Sequence, residues 1–419
     1  MNIAWIKVSL PIELDYFKSS SNSGADDRAG FMECFINRGH FITIYTCIKP
    51  HDETLFQDSD ELKQRPYMSW IKNIKYKPTA IKISHKNDVL IVEAGADTMN
   101  FKDPYTHKPF LRRFAELVNT FEGPVFYLQV DPTQPFQFKQ FVAKKYPWGH
   151  EMNGYTNPIP GKTTGVKHWV MHSSWATKDE IFKNKKTILV AKTTEIESLI
   201  NLFNKGEGFA GRTGYGVLRD KINFESIPMA YDPKWFTYRI FKTLPKQKLL
   251  PTKVIYSGGD RNRRKSFRRL CSGTDCGVLV TGTWKDEKFN SSLDNVHFSG
   301  WLEKRTDVAD LINHSLCGIQ VTTSNAEKLG WVTAKTFETV YGRSFLLMDK
   351  NIVGGEKFVI DSMLLVEDAN DVSRVVKDLS QLNLQERKEL HDKQIELAQK
   401  FTWEKVIIKM EELFKKYGA

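Results

Sequence analysis

Short apolar runs that alternate with helix-like stretches occur twice along this chain, and that double alternation restricts the fold more than any other feature. Residues 1–10 read as a first strand. The polar segment SSSNSGADD follows, and then a helix across RAGFMECFINRG that stops at Gly39. FITIYTC, residues 41–47, carries the β-branched and aromatic residues of a strand. DVLIVE, residues 88–93, is an unbroken apolar run, as expected where a parallel strand is covered on both faces. Helical periodicity over 110–121, the strand PVFYLQV at 124–130, the strand TILVA and the helix TEIESLINLF continue the pattern. Such a series predicts a parallel sheet wound with helices.

A second series starts near Lys253. It runs through the strand VIYSGG, a helix over RNRRKSFRRLC, the strands GVLVTGTW and VHFSGW, and the helix DVADLINHSLC. The strand GIQVTT, a helix through AKTFETVYG, and the strands SFLLMD and MLLVED complete it. A chain of 419 residues is long enough for two cores. The expected division is residues 1–248, residues 249–401, and an amphipathic segment, 402–419, that packs back across the lobes. Between the two series, residues 136–182 are dense in Pro, Gly, Trp, His and Lys, and GEGFAGRTGYG reads as a surface or ligand-facing loop.

Composition narrows the function classes. At 41% hydrophobic and 26% charged, the chain is neither disordered nor fibrous. Its 61 basic and 50 acidic residues leave a net charge of +11, which favours polyanionic partners without requiring them. Cys34, Cys47, Cys271, Cys276 and Cys317 lack metal-type spacing, so reduced thiols in a reducing compartment are expected. No stretch approaches the roughly 18 apolar residues of a membrane span, and Asp15 arrives too early for a signal peptide. A cytoplasmic monomer without membrane contact is the expectation.

The stretch richest in chemistry is VIYSGGDRNRRKSFRR. A strand running into Gly258 and Gly259 and then a helix presents backbone N–H groups to an anion. Arg261, Arg263 and Arg264 add guanidinium forks that bind phosphate in bidentate fashion. Together these suit a diphosphate, although a solvated basic helix would read the same way. No Walker A pattern is present. In WVTAKTFETV, Lys335 and Glu338 are three residues apart and share one helix face. A lysine on phosphates and a glutamate accepting ribose hydroxyls would hold a nucleoside diphosphate; an ordinary surface ion pair has the same spacing.

In this order, VIYSGGDRNRR, VHFSGW, GWVTAKTFETV and SFLLMD resemble the phage DNA β-glucosyltransferases, which transfer glucose from UDP-glucose to 5-hydroxymethylcytosine in duplex DNA. INFESIPMAYDPKW is similar to that family's Phe-Glu-x-x-Pro linker, and YLQVDPTQPF and the YPW of 146–148 to first-lobe segments. The resemblance implies a GT-B fold, two Rossmann-like doubly wound domains facing a central cleft. It places Asp131 on the catalytic base, and Arg261 with Arg264, or Arg263 in its stead, on the diphosphate. It also sets Gly300 in the donor-side FTG turn, Lys335 where the family has arginine, Glu338 on the ribose, and Asp27 on a glutamate that contacts the donor sugar. Independently of it, a carboxylate beyond the end of a parallel strand faces a cleft, where it can take a proton from an attacking hydroxyl, although an Asp-Pro pair at a strand end is often just a turn. Retaining GT-B enzymes often carry Glu-x7-Glu; Gly330 stands at its first position relative to Glu338, which points to inversion.

Residues 138–186 interleave lysines, among them Lys144 and Lys145, with Tyr146, Trp148, Trp169 and Trp175. That mixture suits phosphate contacts and base stacking around a flipped base, and equally a long loop over buried aromatics. No Asp-x-Asp or His/Cys cluster marks a metal site, so Mg²⁺ or Mn²⁺ would assist the leaving diphosphate without being required. The expected partners are a UDP-sugar and double-stranded DNA with a hydroxymethylated pyrimidine. A UDP-arabinose-type pentosyltransferase, a cell-envelope glycosyltransferase and a noncatalytic DNA-binding protein are the competing readings.

Overall fold

The computed structural model describes residues 1–7, 23–46, 74–78, 83, 86–94, 120–129, 187–198, 200, 223–231, 252–260, 263–302 and 305–419. The apolar runs become strands in two all-parallel sheets. The first contains β1 (Asn2–Lys7), β2 (Phe41–Thr46), β3 (Ile74–Pro78), β4 (Val89–Ala94), β5 (Val125–Gln129), β6 (Thr187–Lys192) and β7 (Asn223–Ile227). Its order is β3-β2-β1-β4-β5-β6-β7. The second contains β8 (Val254–Ser257), β9 (Val278–Thr281), β10 (Val296–Gly300), β11 (Cys317–Gln320), β12 (Phe345–Asp349) and β13 (Leu365–Val366), in the order β10-β9-β8-β11-β12-β13. Each sheet winds outward from its first strand and then reverses, between β1 and β4 and again between β8 and β11. Outside the carboxyl ends of strands at such a reversal, doubly wound folds leave a crevice for ligands.

The helices are α1 (Ser23–Asn37), α2 (Arg264–Cys271), α3 (Glu287–Asn290), α4 (Arg305–Asn313), α5 (Ser324–Lys328), α6 (Ala334–Tyr341), α7 (Ala369–Gln381), α8 (Leu384–Ala398) and α9 (Trp403–Lys416). α9 buries Trp403, Val406, Ile407, Met410, Leu413 and Phe414, a stripe at helical spacing. That stripe packs on the first sheet's core. Trp403 meets Phe31 edge-on at 5.6 Å between centroids, and Phe414 meets Phe126 at 4.8 Å. Arg38 holds Glu411 of α9 with two bonds of 2.7 Å, and His40 adds a third at 2.8 Å. These bonds, led by that from Arg38, draw the Glu411 carboxyl down to a pKa of about 2. Where the chain leaves β7 for the second lobe, Met229 and Tyr231 are buried in the second core, Tyr231 stacked on Phe337.

Two expected elements come out shorter than the sequence reading. The helix expected through Cys317 ends at Asn313, because Cys317 must enter β11 between β8 and β12. The strand expected over 363–368 shrinks to β13. Asp361 bonds the Met363 N–H at 2.8 Å and forms a tight turn before it. Asp368 caps α7 at 2.9 and 3.0 Å directly after it. Cys34, Cys271, Cys276 and Cys317 are all free thiols, and no described helix is long and apolar enough to cross a membrane.

His391 of α8 is 2% exposed, stacked on Phe345 at 4.0 Å between centroids. Burial, with help from Arg343, lowers its pKa from 6.5 to about 3, so the folded ring stays neutral. The unfolded chain therefore binds this proton first as pH falls. Its contribution to stability is whole above pH 6.5 and is lost toward pH 3. The loss is roughly 1.4 kcal/mol per pH unit. His391→Phe is expected to remove that slope between about pH 6.5 and 4.5, above most carboxyl titrations, in urea unfolding followed across pH. An unchanged slope would exclude His391 as its source.

Candidate functional site

The best-formed site lies at the reversal of the second sheet. β8 ends at Ser257 and runs into Gly258 and Gly259, which turn against the end of β9. The Gly258 N–H donates to the Thr281 carbonyl at 2.7 Å and the Asp260 N–H to the Thr283 carbonyl at 3.2 Å. The Trp284 indole N–H donates to the Gly258 carbonyl at 2.8 Å. Both sides of this contact are crowded, and the Gly282 side requires glycine. A Cβ on Gly258 would lie 2.8 Å from the Tyr256 hydroxyl, and one on Gly282, at φ +132°, would overlap the Gly258 carbonyl oxygen. Gly258 thus shapes the loop while its own N–H is spent on β9. Positive charge at the loop comes chiefly from side chains.

Lys335 and Glu338 converge there. Both sit on α6, which starts after β11 at the carboxyl edge of the sheet. Lys335 Nζ is 3.4 Å from the Ser257 hydroxyl, immediately before the glycine pair, and 2.9 Å from Glu338 Oε2. The Glu338 side chain is 1% exposed and that of Lys335 30%. Such a pair is more than a solvated surface contact. Its carboxylate is buried, and its ammonium faces the glycine loop from across the β8–β11 reversal. Thr333, which caps α6, accepts a side-chain bond from Gln320 at 3.2 Å and none from the N–H groups of the first turn. The start of α6 therefore adds its own partial positive charge at the crevice.

The arginines separate into two roles. Arg263 donates to the Gly259 carbonyl at 3.1 Å and so lies against the loop. Arg264 is held by Asp260 at 2.6 Å and Asp286 at 2.5 Å, its charge already met by two carboxylates. Of the two positions left open by the sequence, Arg264 has its charge met by carboxylates, whereas Arg263 meets a backbone carbonyl of the loop. Gly300 ends β10 at φ +79° and accepts the Gly282 N–H at 2.7 Å, joining the same rim of glycine turns. Ser257, Trp284 and Gln320 are parts of the site that the sequence reading passed over.

Other expected site residues are not brought into view. Asp27 lies within α1, and its side chain, like Arg261, Asp131, Lys144, Lys145, Tyr146 and Trp148, falls outside the described residues. β5 ends at Gln129, two residues before Asp131. Among the described residues no group of three or more His, Cys, Asp or Glu side chains is arranged to hold a metal ion. A cavity of about 560 Å³ lined by Lys253, Cys276, Lys377 and Ser380 opens at the opposite, amino ends of β8 and β9, away from the crevice.

No protein-family model matches the chain, and no curated protein matches it in sequence. Solved structures do match, over the whole length. T4 phage β-glucosyltransferase in complex with UDP-glucose superimposes with a TM-score of 0.60 at 14% identity, covering 100% of this chain and 99% of that one. The fold is GT-B. The same phage protein with UDP and Mn²⁺ gives 0.58 at 16% identity, with the same coverage. An α-glucosyltransferase bound to UDP and a 13-mer DNA with a central A:G mismatch gives 0.55 at 10%, covering 99% and 100%. Sucrose-phosphate synthase from Thermosynechococcus elongatus gives 0.53 at 11%, covering 99% and 98%. The GT-B frame explains why the two sheets share one winding. Acceptor choice within that frame is a property of the site, since the DNA-bound α-glucosyltransferase and the sucrose-phosphate synthase share it.

Proposed function

We propose that this chain is an inverting glycosyltransferase that moves a sugar, glucose by default, from a UDP-sugar to the hydroxymethyl group of a modified pyrimidine, 5-hydroxymethylcytosine first, in double-stranded DNA. The observation that carries the donor half is the Lys335–Glu338 pair against Ser257 at the β8–β11 reversal. A lysine beside a glycine turn supplies charge for two phosphates, and a buried carboxylate next to it accepts ribose hydroxyls. Arg263, and Arg261 by resemblance, would share the diphosphate's charge, while Asp27 would contact the sugar. Support for the acceptor half is the resemblance of the sequence motifs together with two neighbours, the β-glucosyltransferase, a DNA-modifying enzyme, and the α-glucosyltransferase bound to DNA.

In this reading residues 1–248 hold the acceptor and 249–401 the donor. Asp131, just beyond the carboxyl end of β5, takes the proton of the acceptor hydroxyl as its oxygen bonds to the anomeric carbon. The bond from that carbon to the β-phosphate oxygen breaks, its electron pair leaves with UDP, and the anomeric centre inverts. Lys144, Lys145, Tyr146 and Trp148 would hold the DNA around a flipped base. Mg²⁺ or Mn²⁺ would assist the diphosphate's departure without organising the site.

The test incubates the protein with radiolabelled UDP-glucose and other UDP-sugars, a UDP-pentose among them, and with duplexes containing cytosine, 5-hydroxymethylcytosine or 5-hydroxymethyluracil. Label is expected only in hydroxymethylated DNA. Label from the pentose donor alone would change the sugar but keep the chemistry. Failure of every donor to label any duplex would reject the DNA acceptor.

A further inference from the structure

At the carboxyl end of β6, residues of the first lobe reach into the second, directly ahead of α6. The Thr193 hydroxyl, buried, donates to the Leu329 carbonyl at 2.6 Å and accepts the Glu195 N–H at 2.9 Å. Leu329 caps the carboxyl end of α5, where carbonyls have no partner within their own helix. The Glu195 side chain then enters the gap between two second-lobe turns. Both turns hinge on glycines in the left-handed region, Gly330 at φ +60° and Gly354 at φ +72°. A Cβ on Gly330 would lie 2.5 Å from Glu195 Cγ, and one on Gly354 would overlap the Glu195 carboxylate. At Gly354 that space is filled by Glu195 from the other lobe, and at Gly330 by Glu195 together with the Val353 carbonyl.

The carboxylate is bonded in place by Lys357, two residues beyond Gly355, and by the Thr194 hydroxyl at 2.9 Å. Burial raises the Glu195 pKa, but those two bonds outweigh it and keep the carboxyl ionised below its usual range. Gly330 precedes Lys335 by five residues. Val353, beside Gly354, is tied to the same unit through its N–H to the Glu327 carbonyl at 2.9 Å. A shift of either turn would therefore move the start of α6 relative to Ser257.

We propose that Glu195 is a positioning residue: from the first lobe it clasps the turns at Gly330 and Gly354 and so sets Lys335 against the donor's phosphates. This rests on the donor-site reading of Lys335. Glu195→Ala and Lys357→Met are the variants, alone and combined, in the full chain. Two readouts apply to each: UDP binding by calorimetry, and backbone hydrogen exchange over residues 329–336 in the ligand-free protein. Each single change is expected to weaken UDP binding about tenfold and to speed exchange. The combined variant is expected to be no worse than the worse single one, because both break one clasp.

UDP affinities within about twofold of the unaltered protein, or losses that add in the combined variant, would overturn the proposal. So would weaker binding with exchange unchanged, since Glu195 would then act on the nucleotide directly. If the unaltered protein bound no UDP, the donor reading would fail by itself. The exchange arm would still decide whether Glu195 holds the turn.

Discussion

Asp131→Ala is expected to lower the rate of sugar transfer by about 10²–10⁴-fold, the range for losing a general base, while UDP binding stays nearly unchanged. The separation of the two effects follows from the topology. Asp131 follows β5 of the first sheet, whereas Lys335, Glu338 and Arg263 belong to the second. Removing a carboxylate from one lobe leaves the charges proposed to hold phosphate in the other intact. Turnover should thus fall without a matching change in donor affinity, the signature of an interaction made only in the transition state. Asp131→Asn is the sharper variant, since it keeps the shape and removes only the proton acceptor. Transfer that survived in Asp131→Asn would assign the base elsewhere. Equal losses in transfer and in UDP binding would instead mean that Asp131 shapes the donor pocket.

Much of the frame was legible because strands in a parallel sheet are covered on both faces and so read as unbroken apolar runs. IAWI, VLIV and VLVT need no alternation to be recognised, and all three lie inside their sheets with their side chains buried. The two strands left unread in the first series, β3 (IKYKP) and β7 (NFESI), are its two edges. An edge strand can carry charges and a proline, so its sequence resembles a linker. α7 and α8 were also unread, although their signals are local. Asp368 caps α7, and Asn383 with Glu386 forms a reciprocal capping box on α8.

The site divided along the same line. Lys335 and Glu338 were readable as a pair because helix spacing is written in the sequence. The meeting of Lys335 with Ser257, 78 residues earlier, depends on β8 lying beside β11, which only the sheet order provides. Arg264 shows the converse. Its neighbours in sequence suggest a phosphate ligand, yet Asp286, 22 residues away, joins Asp260 in occupying it. Glu195 gave no signal at all, since a glutamate after TILVAKTT is unremarkable until Gly330 and Gly354 close around it.

Lys335→Ala is expected to weaken UDP binding by about 10–100-fold, that is about 1.4–2.8 kcal/mol, through loss of a charge-assisted contact to phosphate. It should also cost stability, because the Glu338 side chain is 1% exposed and would lose the lysine 2.9 Å away. With Lys335 itself 30% exposed, that cost should be about 1–3 kcal/mol, below the value for a fully buried pair. Lys335→Arg should preserve both quantities. The role of Glu338 is separable by changing the ligand. If its carboxylate accepts the ribose hydroxyls, Glu338→Gln and replacement of UDP by 2′-deoxy-UDP remove parts of one interaction. Their losses should then fall short of additive, by about 0.5–3 kcal/mol in such a cycle. Additive losses would place the ribose elsewhere and leave Glu338 as the counter-charge that holds Lys335 toward Ser257. A Glu338→Gln protein that bound UDP and 2′-deoxy-UDP as tightly as the unaltered chain would remove the pair from the donor site altogether.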